Sequence, residues 1–579
     1  MGLFLNMKHQ KFGISKIVAV VTATTLLCGC SFFSNKSDTV PLNGRKTVPF
    51  SQMEIQEADI SNLTTQIQEL ESKLGEFSDV KQLLEQEEAL NENLEVFDTS
   101  GALADLQSYL HSSDQQLRQQ SEEFSVQSEQ LNSYVIEYLR KVMESPLADA
   151  YREEMGEYAS SQIDRQLATN SPNAVEFMQK RQQLDNQYNE KLSNLRVEVD
   201  GKEMRINEVL ELPNLTSEQF YQAINDYYIE NYEEFANLYL EMIQLDKQAA
   251  AACGYEDAVQ WRYDSFGRDY TPQQAQQLFA EIKEYIVPWM AEMEYNDGMT
   301  LALSEEKGVS TVKKLLQETD PLLKETWNFM EQNELFSLGA DSDKMSGIAF
   351  TMPLSAYNAP FVYAYWQGSL RDAFTLVHEF GHAVDNYSQF GNEAYTTDLD
   401  KSETFSQGLE QVLQQKLAKA VGADPKQVMQ SSWGDMVQTI TYQAALEDFQ
   451  MRAYALPEDA QPMDLAKLFA DVLEEYGYYS AFGEYDTTWF EVTHLFDAPF
   501  YTMSYVTSAT AALELGRMET SQPGSGLEAW LKLVETDRNQ SFESFLKEAG
   551  IASPFEQGRM QECGEFLKEN LVSQQAKAA

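Results

Sequence analysis

Ala373-Phe-Thr-Leu-Val-His378-Glu379-Phe380-Gly381-His382-Ala383 is the stretch on which the reading of this chain turns. In a helix, residues four apart lie on one face one turn up, so the imidazoles of His378 and His382 converge on a point where one ion can meet both at about 2.0 Å. Glu379 projects beside them, placed to take a proton from an attacking water and to return it to a leaving amine. The flanks are apolar or small, as suits a helix buried beneath a cleft. A helix that happens to carry two histidines is the bland alternative. The chain holds only five histidines, and two of them occupy this motif with a glutamate in the right place, so accident is a poor account.

A catalytic metal of this kind needs a third protein ligand and an open position. Downstream, Asp400-Lys-Ser-Glu403-Thr-Phe-Ser406-Gln-Gly-Leu-Glu410 opens an amphipathic helix that the pattern carries to about Ala420. A loop from Ser388 to Lys401 would return this helix beside the first. Spacing alone leaves Glu403 in competition with Glu393, Asp398 and Asp400. Ser406 and Glu410 share the face of Glu403, where they suit the orientation of a ligand histidine.

His378-Glu-Phe-Gly-His382 followed by Glu403-x-x-Ser406-x-x-x-Glu410 resembles the peptidase family of thimet oligopeptidase and, more closely, oligoendopeptidase F. The resemblance implies that Glu403 is the third ligand of one Zn2+ per chain, with cobalt or manganese as metals the same ligands accept. It extends to Lys344-Met-Ser-Gly347-Ile-Ala-Phe350 and Ala359-Pro-Phe-Val362, which are similar to short sheet segments lining the family's cleft, and to Asp372 leading into the histidine helix. Gly254-Tyr255-Glu256 and the Ala549-Gly-Ile-Ala-Ser-Pro stretch are family-like too. His494-Leu-Phe-Asp-Ala-Pro-Phe-Tyr501-Thr-Met-Ser-Tyr505 resembles the family's histidine and tyrosine-rich segment, whose members donate hydrogen bonds to the oxyanion of the tetrahedral intermediate. With 29 tyrosines in the chain, Tyr501 and Tyr505 also read as one buried helix face, and which of them matches which family position stays open. The likeness runs from about residue 200 to the end; the first 200 residues match only in being helical. The implied fold is mostly α: a two-lobed helical zincin with a deep substrate channel and a small β-sheet lining the cleft. The implied activity is endopeptidase cleavage of short unstructured peptides by a monomer.

The rest of the chain sets that reading in context. With 43% hydrophobic and 12% aromatic residues there is ample material for a large core. The net charge of -50 would repel a phosphate backbone, so nucleic acid is excluded as a partner. At the start, Lys8, Lys11 and Lys16 precede an apolar run from Ile17 to Leu27 that is too short to span a bilayer. Its ending, Leu27-Cys-Gly-Cys30, resembles a bacterial lipobox, which implies a signal peptide over 1–29, lipid on Cys30, and an extracytoplasmic, membrane-anchored protein. Residues 30–52 read as a flexible tether, with order beginning near Met53. Leu63, Ile67, Leu70, Leu74 and Phe77 form one helical stripe in an N-terminal helical lobe over 53–195. Val197 to Ile206, with Asp200-Gly201 at its centre, predicts a hairpin that marks the boundary to a catalytic region over 196–579. Thr216 with Gln219 and Thr271-Pro272 predict helix starts. Cys253 and Cys563 are expected as free, buried thiols. Two rival functions fit the same sequence: a lipoprotein that binds peptides with little turnover, and an interaction lipoprotein whose metal is structural.

Overall fold

The computed structural model describes residues 47–571 apart from 58, 211, 213–214, 291–297 and 391–397. The chain is 71% helical with small sheets, so the mostly-α expectation holds. Two compact units form, each gathered from three separated stretches. The first takes the described residues of Met1–Ser161, Tyr295–Trp433 and Ala511–Ala552; the second takes those of Gln162–Glu294, Gly434–Thr510 and Ser553–Ala579. The contiguous lobes expected at 53–195 and 196–579 are therefore not the units observed. The hairpin at 197–204, read as a boundary, lies inside the second unit.

The first unit begins earlier than the tether reading allowed. Phe50–Gln52 is a short 3-10 turn, the Phe50 amide donates to Asn333 O at 2.9 Å, and its ring lies 4.4 Å from that of Phe361. Helices Ser61–Lys73, Val80–Leu110 and Gln115–Glu144 follow, with Asp79 and Asp114 accepting first-turn amides of the second and third. Leu63, Ile67 and Leu70 are buried as their spacing predicts, but the first helix stops at Lys73 and Phe77 falls outside it. A three-stranded sheet places Ala359–Ala364 at its centre, parallel to Phe336–Ser337 and antiparallel to Ala349–Leu354. The register sets Phe350 opposite Tyr363, whose rings stack at 5.0 Å. Lys344 to Ile348 is not strand; instead Lys344 Nζ donates to the carbonyls of Ser337, Gly339 and Ala364 at 3.1, 2.7 and 3.1 Å and so closes one end of the sheet. The large apolar core lies under this sheet and runs on to Trp530, Phe545 and Ile551.

The second unit is built on aromatic packing. Val197–Val199 and Lys202–Met204 form the predicted hairpin, with Asp200 and Gly201 at φ 53 and 75, the left-handed pair that a tight primed turn requires. Thr216 with Gln219 and Thr271 with Gln274 make reciprocal capping boxes at Ser217–Tyr228 and Pro272–Tyr285. Tyr188 stacks on Phe496 at 3.7 Å and Phe235 on Phe490 at 4.5 Å, joining Tyr232–Ala252 and Val175–Asn194 to the segment around residue 490. Cys253 and Cys563 are both free; only Cys563 is buried, and Cys253 is half-buried with its thiol donating to Thr169 O at 3.2 Å. Among the described residues no helix is long and apolar enough to cross a membrane.

One group in the first unit makes its stability depend on pH. Glu87 is fully buried; burial pushes its carboxyl up to about 8, with the Tyr138 hydroxyl, donating at 2.6 Å, and then Tyr151 opposing the shift. The folded state thus holds the proton more tightly than the unfolded chain, whose carboxyl titrates near 4.5. Stability from this group is complete below pH 4.5 and is lost as pH rises toward about 8, a change on the order of 5 kcal/mol. Glu87→Gln should raise the denaturation midpoint at pH 8.5 and leave it nearly unchanged at pH 5; equal shifts at both pH values in urea or thermal melts would contradict this.

Candidate active site

Two helices of the first unit carry the site. Leu370–Gln389 starts where the Ser369 amide donates to Asp372 Oδ2 at 2.7 Å, and it buries Phe374, Val377 and Phe380 on one face. Leu399–Val421 starts at Asp398, whose carboxylate accepts from the amides of Asp400 and Lys401 and pairs with Lys401 Nζ at 2.8 Å. What lets these helices meet is Gly381. A Cβ there would sit 2.7 Å from Ser406 Cα and 2.8 Å from Phe405 O, closer than backbone can yield. The Phe405 carbonyl also accepts from Trp530 Nε1 at 2.8 Å, and a buried ion pair of 2.8 Å joins Asp385 to Arg538. Lys401 Nζ donates to the Arg538 and Gln540 carbonyls at 3.1 and 2.6 Å, fixing the start of the second helix against the same segment.

The approach brings His378, His382 and Glu403 together, with one ligand atom of each within 4.8 Å of the others; among the described residues they form the group of three that could hold a metal. His378 Nε2 lies 3.6 Å from one Glu403 oxygen and His382 Nε2 lies 3.8 Å from the other. These gaps are too long for hydrogen bonds and close to the spacing of about 3.3 Å between ligands that share one tetrahedral ion, so the donor set fits such an ion. Of the competing carboxylates, Asp398 is engaged at the helix start, Asp400 is not part of the group, and Glu393 lies outside the described residues.

The far side of each ligand is held. Glu410 Oε1 lies 2.7 Å from His378 Nδ1, Ser402 Oγ lies 3.2 Å from His382 Nδ1, and Ser406 Oγ donates to Glu403 Oε2 at 3.2 Å. Glu410 and Ser406 are where the spacing placed them. Ser402 was missed, although its position immediately before Glu403 puts it on the edge of the same helix face. Burial opposes charge on both histidines: His382 is pushed well below its ordinary range by burial and by the His378 charge, and stays neutral as a ligand must. At His378 the hydrogen bond and charge of Glu410 outweigh burial and push the ring up to about 10, so a metal that binds there must displace the Nε2 proton.

Glu379 is 4% exposed, and burial raises its carboxyl to about 7 against the pull of the His378 charge and of Thr351. Thr351 Oγ1 lies 2.9 Å from Glu379 Oε2 and 2.7 Å from the Glu379 carbonyl, so the strand Ala349–Leu354 presents a hydroxyl to this carboxylate. No local signal in the sequence links residues so far apart.

His494, Tyr501 and Tyr505 come together in the second unit. The His494 ring lies 4.9 Å from Tyr501 and 6.3 Å from Tyr505, and the two tyrosine rings are 5.2 Å apart. Both tyrosines are buried, and His494 Nδ1 faces Asp497 at 3.7 Å. Cys30 lies outside the described residues.

Two histidines one turn apart, a glutamate between them and a glutamate from the following helix, on a mostly helical frame, define a helical zincin. Residues 332–562 match the model of peptidase family M3, and residues 50–170 match that of the peptidase M3 N-terminal domain. Pz peptidase A, solved with an inhibitor, superposes with a TM-score of 0.76 over 90% of this chain and 99% of its own, at 19% identity. An oligoendopeptidase F homologue of Borreliella burgdorferi is 26% identical over 227 residues, 37% of this chain and 36% of that protein. The chromosomal oligoendopeptidase F of Lactococcus lactis subsp. cremoris is 23% identical over 235 residues, 38% of this chain and 37% of that protein. These matches span little more than a third of either curated relative. The two models describe parts of one family and together cover more than half of the chain, which therefore belongs to peptidase family M3.

Glu410→Gln keeps the shape beside His378 but removes the charge that orients it, and should weaken metal binding roughly ten- to hundredfold in a chelator competition. Unchanged affinity would show that Glu410 does not act on the ligand.

Proposed function

We propose that the protein is a zinc endopeptidase, a single chain with one metal, that hydrolyses internal bonds of short unstructured peptides outside the cytoplasm while anchored through lipid on Cys30. The observation that carries the reading is the Glu379 carboxylate, buried beside the three-ligand group and held by Thr351, because a site that only bound metal or peptide would have no use for it. Zinc on His378, His382 and Glu403 would supply a Lewis acid that polarises the scissile carbonyl and acidifies water. Glu379 takes the proton from the attacking water and passes it to the leaving amine; a carboxyl near 7 exchanges protons readily at neutral pH. Glu410, Ser402 and Ser406 keep the ligands in place during turnover. The strand Ala349–Leu354 pairs on one side only among the described residues, and its outer edge offers main-chain groups to an extended peptide. His494 with Tyr501 or Tyr505 donates to the oxyanion; the support is the family-like segment and the single ring cluster these residues form.

Glu379→Gln should retain zinc and lose turnover by at least about a thousandfold on a mixed peptide pool read by mass spectrometry. Near-normal cleavage by that variant would refute the general-base role, and zinc-loaded wild type that makes no internal cuts would replace the reading with peptide binding. Cys30→Ser should move the protein from the membrane to the soluble fraction, and continued lipid labelling of the variant would refute the anchor.

A further inference from the structure

Phe500 is a fully buried residue with φ +71, a conformation that L side chains rarely adopt. It stands between His494–Asp497 and Thr502–Ser521, directly before Tyr501. Its ring faces Tyr263 and Tyr454 at 6.0 and 4.9 Å, so the position keeps an aromatic side chain where glycine would take the turn without strain. Both backbone polar groups of Phe500 are met by buried side chains. Its N–H donates to Gln450 Oε1 at 2.9 Å, and its carbonyl accepts from Arg268 Nη2 at 2.7 Å.

The clamp is itself braced. Gln450 Nε2 donates to Tyr239 Oη at 3.3 Å and to Leu495 O at 3.5 Å, one residue from His494. Arg268 Nη2 reaches Ser504 Oγ at 3.2 Å, one residue from Tyr505. Behind Arg268 lies Glu447, 3.9 Å from Nη1, which also accepts from Tyr263 Oη at 2.8 Å and Thr502 Oγ1 at 2.5 Å. Glu447 and Gln450 sit three apart on Pro425–Tyr454 and present one polar face to the bend. Arg181 holds a further carbonyl of this stretch, that of Phe496. Gln450 and Glu447 are fully buried and Arg268 is 5% exposed, in a core otherwise aromatic. So dense a polar set around one peptide fixes the directions of the residues on either side of it.

We infer that Gln450 and Arg268 are positioning residues: by clamping the left-handed Phe500 peptide they hold His494, Tyr501 and Tyr505 at one mutual spacing. The inference rests on the proposed role of that trio as oxyanion donors. A purely structural polar cluster would affect folding; a positioning cluster also affects kcat through the trio and leaves metal and ground-state binding alone.

The test uses the zinc-loaded full chain and a quenched fluorogenic peptide, with kcat, KM, zinc content and melting temperature read for each variant. Gln450→Met removes the acceptor at nearly constant volume and should lower kcat roughly ten- to a hundredfold with KM and zinc nearly unchanged. In the background of whichever of Tyr501→Phe and Tyr505→Phe lowers kcat, the same substitution should cost at most about threefold more, because the two act on one step. Arg268→Lys, which keeps the charge facing Glu447 but loses the fork, is the second variant should Gln450→Met not fold, and the same kcat loss is expected. Undiminished kcat in a folded clamp variant, or losses that multiply fully with both Tyr501→Phe and Tyr505→Phe, would overturn the inference while leaving the trio's role intact. Full activity in His494→Ala, Tyr501→Phe and Tyr505→Phe alike would overturn the trio's role and the inference with it.

Discussion

The closest approach of two helices governs this protein's chemistry. At Gly381 the helix Leu370–Gln389 comes so near the backbone of Phe405 and Ser406 that a methyl group has no room. The metal-ligand group lies close to that contact: His378 and His382 on one helix, Glu403 on the other, with Glu410 and Ser402 reaching back across the same seam. Were the axes separated by the width of a side chain, the carboxylate would no longer face both imidazoles. The Asp385–Arg538 pair, the Lys401 bonds to two carbonyls, and Trp530 on the Phe405 carbonyl all press on the outside of this seam, in a region too dry for charges to be left unmatched.

Around the seam the carboxylates divide their work by environment. Glu410 lies against His378 Nδ1, Glu403 faces two ring nitrogens with its two oxygens, and Glu379 is pushed toward the neutral form by burial, against the His378 charge and the Thr351 hydroxyl. Three glutamates within one constellation therefore do different work, one on the metal side, one behind a histidine and one at the base position, and the differences come from burial and partners rather than from residue type.

The sequence made legible what local rules govern. The four-residue spacing of the histidines, the capping boxes at Thr216 and Thr271, the Asp200-Gly201 turn and the facing of Glu410 all follow from helix or hairpin geometry, and each appears where expected. What escaped is set by contacts remote in sequence. Thr351 touches Glu379 because a strand crosses beneath a helix, and Gln450 reaches Phe500 because a helix and a bend pack together; neither leaves a periodic trace. The stripe read through to Phe77 failed because Gly75 follows the helix end and Asp79 starts the next helix, a punctuation that outweighs apolar spacing. The tether was read too long because a single aromatic, Phe50, suffices to seat its last residues on Phe361. The gathering of each compact unit from three separated stretches also left no trace in the sequence, since packing in space is blind to chain order.

That division carries its own consequence for how the molecule comes into being. The first unit's core needs Trp530, Phe545 and Ile551, and the second needs the terminal helix Arg559–Leu571 against Pro272–Tyr285. As the chain emerges from the ribosome, neither unit can close until the segments beyond Thr510 have been made. The segments before Thr510 must wait for those that follow, so assembly joins stretches remote in sequence, and a chain cut at Thr510 strands both cores at once.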